Sequence, residues 1–237
     1  MELKDRVVLV TGAGRGIGRA IALAFAREGA HLGLMGRTKK SLAEAEQEIR
    51  ALGGRGVVLP GDVSDEGTVS RCVIACEQEL GPVDVLVNNA GIFASGPIDK
   101  LDALVFDRVI AVNLRGPFLM TRAVLPGMKS RRFGHIVNIA STAAKRGFAN
   151  GAPYCASKFG LAGLSEATLC EARPFDVRVS TVFPSTVLTD LSRSAGIAAK
   201  DPARTIHPED IAEAVVALVK LHGRAMPTSI EIWQTNP

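Results

Sequence analysis

Tyr154, the only tyrosine of the chain, is followed four residues later by Lys158 in the stretch APYCASKFG. Residues with this spacing lie on the same face of a helix, so the lysine ammonium would lie close to the phenol. A free tyrosine has a pKa of about 10, and a nearby positive charge favours its ionised form. The pair therefore indicates a group that can release and take up a proton. Taken alone, a surface tyrosine with a lysine one turn away explains the spacing equally well.

A second cluster is the sequence TGAGRGIG at residues 11–18, between an apolar run and an amphipathic segment. Glycines let the chain turn tightly and let the next helix approach a ligand closely. The N-terminus of that helix presents free N–H groups and a partial positive charge to a phosphate. This context favours a dinucleotide site, with a plain structural turn as the alternative. The residues that we expect to bind the cofactor here are Gly12, Gly14, Arg15, Gly16, Ile17 and Gly18.

The end of the second predicted strand indicates which dinucleotide would bind. Sites for NAD usually place an Asp or Glu there, which binds the ribose 2′-hydroxyl. This chain has no acid at that point, and Arg37 begins the stretch RTKK. The planar guanidinium of Arg37, together with Arg15, would clamp a 2′-phosphate. We therefore expect NADP, with NAD as the alternative, and we interpret Lys39 and Lys40 as the solvated start of a helix.

Apolar runs of strand length alternate with segments of helical period along the whole chain. Such alternation is typical of a parallel sheet with helices on both faces. No change in composition marks a domain boundary, so we predict one doubly wound α/β domain over residues 1–237. A long helix is expected from Leu101 to Lys129. The weakly structured segment 188–206 is predicted to be a lid on the substrate side.

Composition excludes several classes of function. The net charge of +4 suits an anionic small molecule, but the Lys and Arg residues are scattered without interleaved aromatics, so we expect no nucleic-acid partner. No apolar run reaches about 18 residues and no cleavable leader is evident, so we expect no membrane partner. The four cysteines follow neither disulfide nor zinc spacing, so we predict free thiols, no metal site and a cytoplasmic protein.

Six motifs taken together resemble the short-chain dehydrogenase/reductase family in both order and spacing. They are TGAGRGIG at 11–18, NNAG at 88–91, VNL at 112–114, NIAS at 138–141, YCASK at 154–158 and VFPS at 182–185. The resemblance covers nearly the whole chain. It implies a Rossmann-like domain with a seven-stranded, mostly parallel sheet. It also implies an oxidoreductase that transfers a hydride between a nicotinamide cofactor and a small carbonyl or alcohol.

The resemblance also implies roles for individual residues. Tyr154 would be the general acid in reduction and the general base in oxidation, and Lys158 would also bind the nicotinamide ribose. Ser141 would position the substrate oxygen, and Asn113 would hold a water that links Lys158 to solvent. The catalytic set is thus Asn113, Ser141, Tyr154 and Lys158. Further cofactor contacts are implied for Asp62, Val63, Asn89, Ala90, Gly91, Pro184, Val187 and Thr189.

Two departures from the family pattern bear on the substrate. The sixth strand ends Pro184-Ser185 where the family usually has Pro-Gly, so the nicotinamide-side loop is expected to differ in shape. The ending IEIWQTNP lacks the Gly-Gly pair common in 3-oxoacyl-carrier reductases, which favours a small carbonyl compound. We expect the substrate to be selected by segment 188–206 and by Phe93, Ala143 and Phe148.

Other functions remain open at this point. They are a 3-oxoacyl thioester reductase, a dehydratase or epimerase of the same fold, and a nicotinamide-binding regulator without activity. The family also implies a homodimer or homotetramer. We expect it to form through helices near 101–129 and 153–173. These helices carry more apolar positions than one buried face requires, including Leu161, Leu164 and Leu169.

Overall fold

The computed structural model describes residues 1–194, 201 and 204–235. In this part of the chain, strands form one seven-stranded sheet with the order β3-β2-β1-β4-β5-β6-β7. Every pairing between neighbouring strands is parallel. The strands are β1 (Val7–Thr11), β2 (His31–Gly36), β3 (Arg55–Pro60), β4 (Val85–Asn88), β5 (Gly134–Ile139), β6 (Val177–Pro184) and β7 (Ser229–Ile232).

Helices connect the strands. A π-helical turn, Ala111–Arg115, joins two of them, and short 3-10 turns cover Thr142–Ala144 and Arg173–Phe175. The α-helices are α1 (Gly16–Arg27), α2 (Lys39–Ala51), α3 (Glu66–Leu80), α4 (Ala103–Ile110), α5 (Gly116–Arg131), α6 (Ala152–Ala172), α7 (Asp190–Ser194) and α8 (Pro208–Lys220).

Successive side chains of a strand point to opposite faces of the sheet. Helices cover both faces, so the side chains on both are buried. In β1, Val8 and Val10 pack with α1, α2 and α8, whereas Val7 and Leu9 pack with α3 and α5. Strands buried on both faces need continuous apolar runs, which β1 has in the sequence VVLVT. The predicted doubly wound α/β fold is confirmed, with an all-parallel sheet.

The predicted long helical stretch from Leu101 to Lys129 is present from Ala103 to Arg131, but it contains a π turn that was not predicted. Helix α4 begins at Ala103 because the carboxylate of Asp102 accepts a hydrogen bond from the N–H of Leu104 and caps the first turn. The helical path is then interrupted by the π turn before α5 continues to Arg131. A π turn carries one residue more than the α-helical repeat. Apolar periodicity over so few residues does not reveal it.

A buried polar network crosses the centre of the molecule. The Asn88 amide donates to Asn138 Oδ1 at 2.9 Å and to Thr121 Oγ1 at 3.3 Å, and the Asn138 amide donates to Ser165 Oγ at 2.8 Å. The Ser165 hydroxyl in turn donates to the carbonyl of Leu161. These bonds tie β4 and β5 to α5 and α6. They fix the position of α6, the helix that carries Tyr154 and Lys158, relative to the sheet.

Candidate active site

The first βα turn, residues 11–18, has glycines where a side chain does not fit. Gly12 and Gly16 have φ angles of 67° and 53°, in the left-handed region that favours glycine. A Cβ atom on Gly18 would lie 2.3 Å from the carbonyl oxygen of Gly12. Helix α1 therefore starts directly against the turn. The side chain of Arg15 does not cap its first N–H groups, which can bind an anion.

A cavity of about 460 Å³ lies next to this turn, along the carboxyl ends of β1 to β5. The strand order reverses between β1 and β4, and such a switch point is where α/β sheets bind ligands. Most of the predicted site residues line this cavity, whereas Gly18, Asn113, Ser141, Pro184 and Val187 do not. Those that line it are Gly12, Gly14, Arg15, Gly16, Ile17, Arg37, Asp62, Val63, Asn89, Ala90, Gly91, Tyr154, Lys158 and Thr189.

Two guanidinium groups flank one end of the cavity. Arg15 and Arg37 both line it and both are exposed. Within the described ranges of the chain, neither side chain forms a hydrogen bond or an ion pair, whereas Arg19 and Arg50 on the neighbouring helices each pair with a glutamate. Two unpaired arginines at one end of a cavity supply planar donors for an anionic group.

Asp62 lies at the end of β3 and is held by two other residues. Its carboxylate accepts hydrogen bonds from the backbone and hydroxyl of Ser64, at 2.9 and 2.7 Å, and pairs with Arg108 of α4. Burial raises the pKa of Asp62, but the hydrogen bonds from Arg108 and Ser64 outweigh it and lower this pKa to about 2. The carboxylate is therefore ionised at neutral pH and can only accept hydrogen bonds from a ligand.

The Thr11 hydroxyl joins the ends of β1 and β4. It accepts hydrogen bonds from the backbone N–H groups of Asn89 and Ala90, both at 3.0 Å, and donates to the carbonyl of Val87. The Asn89 amide returns a bond of 2.9 Å to the Thr11 carbonyl. The side chain of Asn89 thus holds the glycine turn against β4. Sequence reasoning missed Thr11, although a hydroxyl directly before the first glycine was the available signal.

Asn113 lies in the π turn, completely buried, and its amide links two segments. Its Oδ1 accepts from the N–H of Ile92 at 2.8 Å, and its Nδ2 donates to the carbonyl of Ile92 at 2.9 Å and to Ser157 Oγ at 3.1 Å. Ser157 donates in turn to the carbonyl of Tyr154. Asn113 therefore fixes the loop after β4 against α6. Sequence reasoning did not identify Ser157.

Tyr154 and Lys158 line the cavity, and Ser141 lies beside Tyr154, with which it shares a hydrogen bond. Lys158 is 4% exposed, and its Nζ donates to the carbonyl of Ile139 at 2.8 Å. The same Nζ lies 5.8 Å from the centroid of the Tyr154 ring. Ser141 follows β5 directly, and its Oγ accepts from the N–H of Ala143 at 3.1 Å.

The protonation of Tyr154 and Lys158 is set mainly by burial. Burial raises the pKa of Tyr154 above its ordinary value, although a hydrogen bond with Ser141 acts in the opposite direction. Burial also lowers the pKa of Lys158 from 10.5 to about 8. At neutral pH the phenol therefore carries its proton and the lysine carries its charge.

The segment after β6 runs back toward the glycine turn. The N–H of Ser185 donates to the carbonyl of Ile232, and Val187 forms a bridge with Ile206. Thr189 lies against the turn, since a Cβ atom on Gly16 would be 3.5 Å from its methyl group. Of the predicted lid, residues 195–200 and 202–203 lie outside the described residues.

The described residues contain neither a metal cluster nor a membrane-spanning helix. No group of three or more His, Cys, Asp or Glu side chains there could hold a metal ion. Among the helices of the same ranges, none is long and apolar enough to span a bilayer.

Comparison with known proteins identifies the family. A family model for the short chain dehydrogenases matches residues 6–200. The chain is 38% identical over 237 residues to the sepiapterin reductase of Chlorobaculum tepidum, covering 97% of this chain and 96% of the relative. It is 36% identical over 219 residues to the ketoacyl reductase HetN of a Nostoc species, covering 92% of this chain and 76% of the relative.

A solved structure shows the same fold over the full length. The crystal structure of a metagenomic short-chain oxidoreductase in complex with NADP superposes with a TM-score of 0.88, is 36% identical and covers 100% of both chains. The likeness thus extends over the whole fold, as the resemblance in the sequence implied. The chain therefore belongs to the short-chain dehydrogenase family of oxidoreductases.

Proposed function

We propose that the protein transfers a hydride between NADP(H) and a small carbonyl or alcohol, with Tyr154 as the proton donor and acceptor. The observation that carries the proposal is that Tyr154 and Lys158 line the same cavity as the glycine turn. A protonated phenol and a buried ammonium thus lie in the same cavity as the free N–H groups at the start of α1. This arrangement joins a dinucleotide site to a proton donor.

The cavity suits a dinucleotide that carries a ribose 2′-phosphate. The close approach of Gly18 to Gly12 leaves the start of α1 open to a pyrophosphate. The unpaired Arg15 and Arg37 suit a ribose 2′-phosphate, and the end of β2 offers no acid to bind a 2′-hydroxyl. NADP is therefore favoured and NAD is the alternative. We also assign cofactor contacts to the positions after β3, β4 and β6, namely Asp62, Val63, Asn89, Ala90, Gly91, Pro184, Val187 and Thr189.

The proposed mechanism divides the work among four side chains. A bound NADPH would supply the hydride that reduces the carbonyl carbon. Tyr154 gives its phenolic proton to the carbonyl oxygen, so that C=O becomes CH–OH, and the charge of Lys158 stabilises the tyrosinate that remains. Ser141 positions the substrate oxygen and stabilises the charge that develops on it. Asn113 keeps α6 and the loop after β4 in place.

Replacing Tyr154 with Phe tests the function directly. Phe keeps the ring but has no proton to give, so carbonyl reduction should fall by about 10²- to 10⁴-fold. Binding of NADPH, followed by fluorescence titration, should stay close to that of the wild type. Turnover that the substitution leaves unchanged would refute the role of Tyr154.

Two other functions have some support. The match to a ketoacyl reductase keeps a 3-oxoacyl thioester substrate open, and acetoacetyl-coenzyme A is its direct probe. A regulator that binds the cofactor and turns nothing over would show NADPH binding without reduction of any carbonyl tested. The presence of Tyr154, Lys158 and Ser141 in one place argues against it, since a sensor needs no proton donor.

We also propose a homodimer or homotetramer in a reducing compartment such as the cytoplasm. All four cysteines are free thiols, and Cys72 and Cys76 lie on the buried side of α3. Exposed apolar side chains lie on the helices that we expect to form the interface, including Leu104 on α4, Phe118 on α5 and Phe159 on α6. Leu161 does not belong to this surface, because its side chain is 1% exposed and packs inside.

A further inference from the structure

Three aromatic rings cluster at the proposed proton donor. The ring centroids of Phe93 and Tyr154 lie 5.1 Å apart with planes tilted by 59°. The rings of Phe93 and Phe148 are 6.5 Å apart and nearly parallel, with an angle of 9° between them. Tyr154 lines the cavity described above, whereas neither phenylalanine does. The two phenylalanines therefore form a surface that starts where the cofactor cavity ends.

The loops that carry the two phenylalanines are fixed to one another. The N–H of Gly96, three residues after Phe93, donates to the carbonyl of Asn150 at 2.9 Å. The N–H of Gly151 donates to the carbonyl of Phe148 at 3.1 Å. A Cβ atom on Gly151 would lie 2.3 Å from the ring of Phe148, so this ring packs directly on the glycine backbone. Both rings are thus held relative to Tyr154 by short local contacts.

The ring surfaces remain available to a ligand. Phe148 is 47% exposed and Phe93 is half-buried, although the chain is only 5% aromatic. Among the residues that the structure describes, no cation lies over either ring. By contrast, a Lys or Arg side chain covers each of four other phenylalanines, Phe118, Phe133, Phe175 and Phe183. Apolar surface beside a polar reacting group is typical of a substrate pocket.

We propose that Phe93 and Phe148 bind a flat, unsaturated ring attached to the reacting carbonyl, so that the substrate class is aryl or ring-conjugated ketones and aldehydes. This inference rests on the proposed function, since it places the carbonyl at Tyr154. Aromatic rings gain from offset stacking and edge-to-face contacts that a saturated ring of the same size does not make. Each such contact favours the aryl compound by about 2- to 10-fold.

The test compares acetophenone with cyclohexyl methyl ketone, which have the same number of carbons and the same methyl ketone. For the full chain with NADPH, kcat/KM is measured for both ketones, and their ratio is the selectivity. The variants are Phe93→Leu and Phe148→Leu. The matched control is Phe175→Leu, because Phe175 is 40% exposed but lies before β6, at the opposite end of the sheet. Comparing selectivities between proteins cancels the different intrinsic reactivity of the two ketones.

We expect Phe93→Leu and Phe148→Leu each to lower the selectivity for acetophenone by about 2- to 10-fold. The control and the affinity of all variants for NADPH should stay unchanged. Turnover with a selectivity that neither variant changes would overturn the inference while the proposed function stands.

Calorimetric titration separates the two proposals if no ketone is reduced. Both ketones are titrated into the protein alone and into the protein with NADP⁺, where no reduction can occur. Tighter binding of acetophenone that Phe148→Leu reduces would support the aryl site even without turnover. Equal affinity for the two ketones, or binding of neither, would overturn it.

Discussion

Lys158 donates to the backbone carbonyl of Ile139, and its Nζ is 5.8 Å from the Tyr154 ring centroid. The sequence led us to expect that this lysine favours the ionised phenol. In the structure, burial instead raises the pKa of Tyr154, so the phenol keeps its proton at neutral pH. This state suits the reduction of a carbonyl, in which Tyr154 must donate. The charge of Lys158 then stabilises the tyrosinate that forms during the reaction.

The pH dependence of reduction follows from Lys158. Because burial lowers its pKa to about 8, the side chain is charged below that pH and becomes neutral above it. The kcat/KM for carbonyl reduction should therefore be level from pH 6 to about 7.5 and fall tenfold per unit well above pH 8. Arginine stays charged over this range, so kcat/KM of Lys158→Arg should not fall above pH 8, even if its activity is lower overall. A wild-type profile that stays level to pH 10 would contradict the assignment.

Arg37 provides the second test at this scale. Removing its guanidinium by Arg37→Ala should weaken NADPH binding about tenfold or more, because a charge-assisted hydrogen bond to the 2′-phosphate is lost. NADH has no such phosphate, so its binding should change little. The matched control is Lys40→Ala, which removes an exposed cation in the first turn of α2, three residues after Arg37. An equal loss of affinity for both nucleotides would argue against a 2′-phosphate site.

The turn between β1 and α1 gives a prediction at the scale of an element. In Gly18→Ala the new methyl group would meet the Gly12 carbonyl at 2.3 Å and the Asn89 amide at 2.4 Å. Backbone cannot give way easily, so we expect a loss of about 1–3 kcal/mol in the free energy of unfolding and weaker NADPH binding.

The control for this substitution is Gly67→Ala in the first turn of α3. Its Cβ atom would meet only side-chain ends at ordinary contact distance, Arg71 Nη1 at 3.4 Å and Asp65 Oδ1 at 3.7 Å, so stability should rise by up to about 1 kcal/mol. Urea denaturation measures both variants. A Gly18→Ala protein as stable as the wild type would show that the turn relaxes.

Most of the secondary-structure elements could be predicted from the sequence, because periodicity and glycine placement are local properties. The strands, the order of helices and the first βα turn all follow from neighbouring residues. The ion pair of Asp62 with Arg108 could not be predicted, since these residues are 46 positions apart and meet only when the fold brings α4 to the loop after β3. The link from Asn113 to Ser157 spans 44 positions and depends on a π turn. Such contacts are fixed by tertiary packing, which single-sequence patterns do not contain.

At the scale of the whole molecule, apolar surface predicts association. Helices α4 and α6 pack against one another, and Leu104 of α4 is 74% exposed, while Phe159 of α6 is 47% exposed. Large apolar side chains grouped on neighbouring helices are typical of an interface between subunits.

Light scattering tests this prediction against the chain mass of 25.0 kDa. We expect a mass of two or four chains for the wild type and a shift toward one chain for Leu104→Asp. Leu52→Asp, at an exposed apolar residue that ends α2, should leave the mass unchanged. A wild-type protein with the mass of one chain would rule out the oligomer.

The π turn at Ala111–Arg115 makes the site sensitive to chain length. Consecutive residues of an α-helix are about 100° apart around its axis. A deletion elsewhere in α4 or α5 would therefore rotate everything beyond it by about that angle. Because the π turn holds one residue more than an α turn, a deletion within it would instead let the α-helical hydrogen bonds close while α5 keeps its apolar side toward the sheet. Only the widened turn that brings Asn113 to Ile92 would be lost, so the fold would survive a deletion that removes this link of the site.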